Sequence, residues 1–389
     1  MLSTRLIDDL LEAEALAGPW DELAVESRRP FCSPAWMLAW WRCAALPRSS
    51  LRILTVFEGD QLIGIAPLFT SQDRSGVVRY GFLASGTAAR LEPMARPGRE
   101  EEVAARLADL LSNVCGPTPH LLTLSEVAME SPWAALLTDA WPAARRPWLH
   151  RSVTMPAPFL SLVGRTYQEW FAELPRRFRS ELRRRWRRLE EKGADLSLVE
   201  DQEVTGLLPD FVRLHHGRWA PRGGSGALDA GIQRMLPEVA RDLAGTGRFR
   251  LWTMKVGDEV ISAQLFLGAG GNLSYWLGGF DETWGSYGLT FQGLRAAIEH
   301  AWTVGDHRID FGAGGQDYKY RFAEEEEAVG SQMIVPRTSR YPLTRLLLAP
   351  GQIGESTTRI RHHAFRRLSP RAQQRVKAVL KRVRTARRS

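Results

Sequence analysis

The chain is short of cysteine, of long apolar runs and, near its C-terminus, of acids, and each shortage excludes something. The three cysteines, Cys32, Cys43 and Cys115, stand at unrelated spacings and make neither a disulfide framework nor a thiolate metal motif. A reducing cytoplasm is therefore the expected setting. No apolar run approaches the roughly 20 residues that cross a bilayer. The opening residues, Met1 to Asp9, carry acids where a secretory signal places basic and then apolar residues. From Arg359 to Ser389 there are twelve Lys/Arg and no Asp/Glu, so the net charge of +8 leaves −4 on the rest of the chain. The basic balance thus describes an appendage rather than the body.

What is present is the composition of a folded globular protein, 44% hydrophobic and 25% charged over 389 residues, enough for two domains and a tail. Over Arg371 to Arg388, Ala372, Val376, Val379, Leu380 and Val383 fall on one helical face with cations elsewhere. That is a basic amphipathic helix suited to an anionic membrane surface, such as the inner face of the membrane, or to an acidic partner; it reads equally as a solvated tail.

Strand and helix patterns alternate along the body, which predicts an α/β fold. Ser33-Pro34 opens a helix over Pro34 to Trp41, and Glu100 to Val114 repeats apolar residues at helical spacing. Pro142 to Pro158 reads as an irregular interdomain link. The expected boundaries are 1–150, 151–340 and a tail over 341–389. Thr166 to Lys192 is predicted helical with a break near Pro175, and its Arg176 to Arg188 portion holds eight arginines around an apolar stripe of Phe178, Leu182, Trp186 and Leu189. It reads as a helix clasping the two domains or as an electrostatic guide for an anionic substrate.

One internal comparison supports a repeat. Leu51 to Ile63 lies against Phe249 to Ile261 at a constant offset of 198, with Arg, Thr, Gly, Asp and Ile coinciding. Both segments are strand, Gly-Asp turn and strand.

Two glycine-rich stretches carry the candidate chemistry. In Asp281 to Gly288, two glycines and a serine precede a helix predicted from about Leu289. Unpaired N–H groups and the helix dipole there suit an anion, so the stretch reads as a pyrophosphate seat on Ser286, Tyr287, Gly288 and Leu289, or as glycines that serve turn geometry alone. In Asp310 to Phe322, a short strand ends at Asp310, Gly312 to Gly315 turn, and Tyr318, Lys319, Tyr320 and Arg321 follow. Asp310 reads as a base or acceptor-orienting group, or as a carboxylate capping the turn. In Leu214-His215-His216-Gly217-Arg218-Trp219, His215 has the intrinsic range of a general base or reads as a helix C-terminal histidine meeting the last carbonyls, and Arg218 and Trp219 suit an acceptor groove. His215 and His216 are adjacent, so they face apart, and no metal site is expected.

The element order from Phe249 to Phe322 resembles the GNAT acyltransferase fold. The span from Phe31 to Phe322 looks like its CelD-like branch associated with cellulose biosynthesis. That likeness rests on Phe31, Trp36, Trp40, Gly64 to Leu68, Arg179 to Gly193, Leu214 to Trp219, and Asp310-Phe311-Gly312 with Tyr318 to Phe322. This branch is similar to the Fem-type aminoacyl transferases, which have two GNAT-like domains. The resemblance implies tandem GNAT-like domains, each a mixed sheet flanked by helices. It also implies direct transfer of an acyl group from acetyl-CoA or another acyl-CoA to a sugar, peptide, amine or glycan acceptor, in exopolysaccharide or cell-envelope synthesis. Tyr318 then stands where the family places an acid, and Lys319 and Arg321 would neutralise a phosphate or carboxylate. A Fem-like transferase drawing on aminoacyl-tRNA and a non-catalytic accessory protein are the alternatives. No RNP, KH or zinc pattern supports nucleic-acid recognition, so tRNA enters only under that alternative.

Overall fold

Two hairpins with the same defect set the frame of the molecule. The computed structural model describes residues 1–72, 76–114, 120–152 and 155–348; Cys115 and the basic stretch over Arg371 to Arg388 lie outside the described residues. The strands are β1 (Leu2–Ile7), β2 (Ser50–Glu58), β3 (Gln61–Gln72), β4 (Val78–Phe82), β5 (Met94–Ala95), β6 (Leu121–Ala128), β7 (Trp148–Arg151), β8 (Met155–Ser161), β9 (Ala194–Leu198), β10 (Phe249–Val256), β11 (Glu259–Ala269), β12 (Asn272–Phe280), β13 (Arg308–Asp310) and β14 (Glu325–Val335). The β2–β3 register shifts between Val56 and Phe57, and the β10–β11 register shifts between Met254 and Lys255. These bulges are 198 residues apart, the offset of the sequence repeat. Gly59 and Gly257 both take φ 59° in the intervening turns.

The strands join in one sheet in the order β1-β2-β3-β4-β6-β14-β8-β13-β12-β11-β10-β9. Each end repeats one plan. Four strands run antiparallel (β1 to β4, β9 to β12), and a helix then leads to a parallel neighbour, β6 beside β4 and β13 beside β12. The plan closes with an exchange. β8, which follows β6 and β7 in the chain, pairs with β13, whereas β14, which follows β13, pairs with β6 and β7. β8 and β14 also pair with each other. The halves thus share their last strands, so neither completes its sheet alone.

The expected irregular link over Pro142 to Pro158 is therefore corrected, since β7 and most of β8 occupy it. Proline is tolerated in β8 because the Pro156 and Pro158 carbonyls, and hence their missing N–H groups, face the side where β13 has already ended. There they accept from Gly314 and Phe311 of the turn. The predicted helices are found at Pro34–Ala44, Glu100–Asp109, Arg176–Glu190, Asp201–Trp219, Ala230–Asp242 and Leu289–Thr303. Ser33 caps the first of these by accepting from the Trp36 N–H. β1, β4, β14 and the helices over Leu10–Ala15 and Ala17–Glu26 were outside the sequence reading.

The arginine helix does not clasp the halves. Phe178 and Leu182 are buried against Phe291 and Phe322, and Leu189 against Met254, Ile261 and Leu289, all in the second half. Each such buried side chain contributes about 2 kcal/mol, which fixes the helix to that half. The halves are joined instead by a common core in which Trp36 meets Trp276 edge-on at 5.0 Å. Among the described residues no helix is long and apolar enough to cross a membrane.

Candidate active site

The Gly288 turn sits at the N-terminus of the Leu289–Thr303 helix with φ 68° and ψ 44°. A side chain there would be strained and its Cβ would run into the guanidinium of Arg185. Arg185 is held at 2.5 Å by Glu181 one helical turn back, and Arg188 lies 4.7 Å over the Tyr287 ring. Two cations therefore overhang a helix start that has no acid in its first turn. The corresponding helix of the first half, Glu100–Asp109, begins Glu100-Glu101-Glu102, and that charge repels an anion. Of the two equivalent helix starts, only the second half's suits a phosphate.

Next to this turn the sheet opens. β12 and β13 pair only over Asn272 to Ser274, and β12 continues to Phe280. A cavity of about 560 Å³ fills the gap, lined from the second half by His215, Arg218, Trp219, Tyr275, Tyr318 and Lys319. Arg218 bridges turn and cavity: its guanidinium lies 4.4 Å over Phe280 and donates to the Thr290 hydroxyl at 3.5 Å.

The glycine turn after β13 presents carbonyl oxygens, not N–H groups, to the neighbouring cation. The buried Lys319 ammonium donates to Gly312 O at 2.9 Å and Ala313 O at 2.8 Å. Burial pushes its pKa down to about 8, partly opposed by the charge of Asp310. Tyr318 is half-buried beside the cavity, and burial pushes its hydroxyl up, so it stays protonated near neutrality. Tyr275 is raised more strongly by its burial.

His215 is brought to β12 by close packing at Gly279, where a Cβ would meet the His215 backbone N–H. Its Nδ1 faces Gly278 O at 3.3 Å, which can only accept, so the proton sits on Nδ1. Nε2 then accepts from the Ser225 hydroxyl at 3.0 Å. Burial pushes the imidazole pKa down; the ring is neutral and its lone pair is already engaged.

Asp310 is buried, with one oxygen accepting from the Gly312 N–H at 2.8 Å and the other 2.5 Å from Arg90 of the first half. Arg90 also pairs with Glu327 at 2.6 Å, and Arg308 with Glu327 at 2.5 Å and Asp310 at 3.4 Å. This four-membered network ties the turn to both halves, and it gives Asp310 the work of holding the turn and Arg90. It also separates the main cavity from a second of about 460 Å³, lined in part by Arg28, Arg29 and Glu130.

The structure thus gathers His215, Arg218, Trp219, Asp310, Tyr318 and Lys319 at one cavity. It places Ser286, Tyr287, Gly288 and Leu289 at the adjoining turn. Arg321 goes elsewhere: it is exposed and stacks 5.3 Å over Phe178 on the outer surface. Sequence reasoning missed Arg90, Glu126 and Tyr275. For Arg90 and Glu126 no local signal exists, because their placement depends on partners far along the chain. Among the described residues, no three His, Cys, Asp or Glu come together as a metal would require.

Residues 176–320 match the family model described as "Acetyltransferase (GNAT) domain". No curated protein sequence matches the chain. Among solved structures, FemX is similar at 12% identity over 88% of this chain and 99% of its own, with a TM-score of 0.61. The C-terminal domain of a protein assigned as a lysylphosphatidylglycerol synthetase from Agrobacterium fabrum is similar at 9% identity, over 87% of this chain and 96% of its own, with a TM-score of 0.55. L-PGS from Bacillus licheniformis follows at 11% identity, 88% and 96% coverage and a TM-score of 0.51. At such identities the likeness is one of fold. The fold is two GNAT-like halves joined in one mixed sheet, and the second of them carries the GNAT acetyltransferase domain match.

Proposed function

We propose that this protein is a GNAT-type acyltransferase that passes an acyl group directly from an acyl-CoA, with acetyl-CoA as the reference donor, to an acceptor held between its halves. The carrying observation is the pair Arg185 and Arg188 over the Gly288 turn. A diphosphate seated there would accept from the helix-start N–H groups and from both guanidinium groups. A thioester arm laid along the open β12 edge then brings its carbonyl to the cavity. Attack on that carbonyl builds charge on its oxygen, and the Lys319 ammonium, with two of its three donors on backbone carbonyls, is the cation at hand. Tyr318, kept protonated by burial, is the candidate donor to the leaving thiolate. The acceptor is an amine or hydroxyl of a sugar, peptide or lipid-linked glycan, and the CelD-like resemblance gives exopolysaccharide synthesis as its setting.

Calorimetry with acetyl-CoA tests the donor. The wild type should bind, and R185E/R188E should bind at least about tenfold more weakly through the loss of two charge-assisted contacts. No heat from the wild type at millimolar acetyl-CoA would sink the reading.

A second reading, aminoacyl transfer from aminoacyl-tRNA, is favoured by the exposed row Arg176, Arg177, Arg183, Arg184 and Arg187 on the same helix and by the likeness to FemX. It predicts tRNA binding that falls steeply with salt and is abolished by R183E/R184E. A non-catalytic accessory role is what remains if a Tyr318→Phe/Lys319→Ala variant keeps full function in cells.

A further inference from the structure

Among the described residues, five other than glycine have φ in the left-handed region, Arg28, Arg90 and Glu126 among them. Arg90 and Glu126 line the main cavity, and Arg28 the adjoining one. Backbone strain that gathers at one site calls for a use. At Glu126 (φ 49°) its origin is visible. The β6–β14 register runs Gly330 opposite Val127 and then Gln332 opposite Leu124, so Ser125 and Glu126 together oppose Ser331 alone. Such a bulge inserts one residue and re-aims a side chain. In an unbroken strand the residue pattern would keep Glu126 in the ladder; here it lines the cavity between the halves.

Its surroundings fit a proton acceptor. Among the described residues the Glu126 carboxyl has no hydrogen-bond or ion-pair partner, in contrast to Asp310, whose oxygens are engaged. The other charged and titratable groups at the cavity are Arg90 from the first half, His215 and Arg218 from the Asp201–Trp219 helix, Tyr275 from β12, and Asp310, Tyr318 and Lys319 from the turn. Arg90 is taken by Asp310 and Glu327, Lys319 by two carbonyls, and the His215 lone pair by Ser225. Of the two carboxylates and the histidine described there, Glu126 is the one whose acceptor atoms are open. Burial without a compensating charge pushes its pKa up from the ordinary carboxylate value.

We propose that Glu126 is the general base of the transfer, so that the half outside the GNAT-domain match supplies a catalytic residue to the half that matches. This rests on the acyl-CoA reading. The acceptor's N–H or O–H proton passes to a Glu126 oxygen, and the acceptor's lone pair forms the bond to the thioester carbonyl carbon. The C–S bond breaks, and the thiolate leaves with its electron pair and takes the Tyr318 hydroxyl proton; Glu126 then gives up its proton to solvent and Tyr318 regains one.

The test compares wild type and E126Q with acetyl-CoA, following thiol release with water, glucosamine, spermidine or hydroxylamine as the acceptor. Hydroxylamine is already an uncharged nucleophile at neutral pH and needs little help from a base. E126Q should bind acetyl-CoA as the wild type does and release thiol about 100-fold more slowly with water and the other amines. It should keep its hydroxylamine rate within a few-fold. The acid limb of the wild-type pH–rate profile, set by ionisation of Glu126, should vanish in the variant. Equal release by the two proteins with water and the amines overturns the proposal, as does an equal loss with hydroxylamine, which would mark a structural role. If acetyl-CoA does not bind the wild type, the donor reading fails instead. The base assignment then stands or falls on the 13C spectrum of glutamate-labelled protein: a Glu126 carboxyl titrating in the ordinary range overturns it.

Discussion

Replacing Lys319 by methionine should remove a specific pH dependence of folding stability. The ammonium of buried Lys319 is held on the Gly312 and Ala313 carbonyls and titrates near 8 in the fold against 10.5 for an ordinary lysine. Between those two pH values the unfolded chain binds more protons at this site than the folded one does. Stability contributed by the site therefore rises with pH across that window. At about 1.36 kcal/mol per unit, the full rise is about 3 kcal/mol. Below pH 8 the lysine is charged in both states and the cost of burying it is fully present. K319M carries no such charge, but it leaves the Gly312 and Ala313 carbonyls without their donor, a loss of about 1–3 kcal/mol that does not vary with pH. Urea denaturation of both proteins from pH 7 to 10.5, taken as the difference in unfolding free energy, isolates the site from every other titrating group. The wild type should gain on K319M as pH rises. A flat difference would refute the account, and a falling one would mean that Lys319 is stabilised rather than penalised as a cation.

Two more expectations concern the same cavity. D310N removes a buried partner of Arg90, which keeps Glu327, so the cost should be about 2 kcal/mol rather than the full value of an orphaned charge; because Asp310 also supports the charged form of Lys319, the lysine's stability window should move to lower pH in the same denaturation series. His215 should show a protonated Nδ1 and an unprotonated Nε2 in nitrogen NMR at neutral pH, and should protonate only below the usual histidine range. Its folded pKa lies below the unfolded one, so its contribution to stability is lost as pH falls through the ordinary histidine value; a cationic His215 at pH 7 would refute the assignment.

The sequence by itself determined what depends on near neighbours. The hairpin pair at offset 198, the Ser33 cap, the apolar stripe of the arginine helix and the glycine start of the Leu289–Thr303 helix are all set by turn chemistry or helical spacing within about a dozen residues. They sufficed for the α/β repeat and for placing the anion turn, His215, Arg218, Tyr318 and Lys319 as candidates. Segments whose composition argues against their structure were lost. β14 opens in the acidic run Glu324 to Glu327, which reads as solvated, yet Glu327 is held by Arg90 and Arg308. β8 contains two prolines that only the short reach of β13 makes tolerable.

Tertiary structure alone decided which side chains meet. Exchange of β8 and β14 joins the halves, the pairing of Arg90 with Asp310 spans them, and a single extra residue in β6 turns Glu126 toward the cavity. Such contacts are fixed by how whole sheets pair and pack, and no local pattern of residues encodes a partner some two hundred positions away.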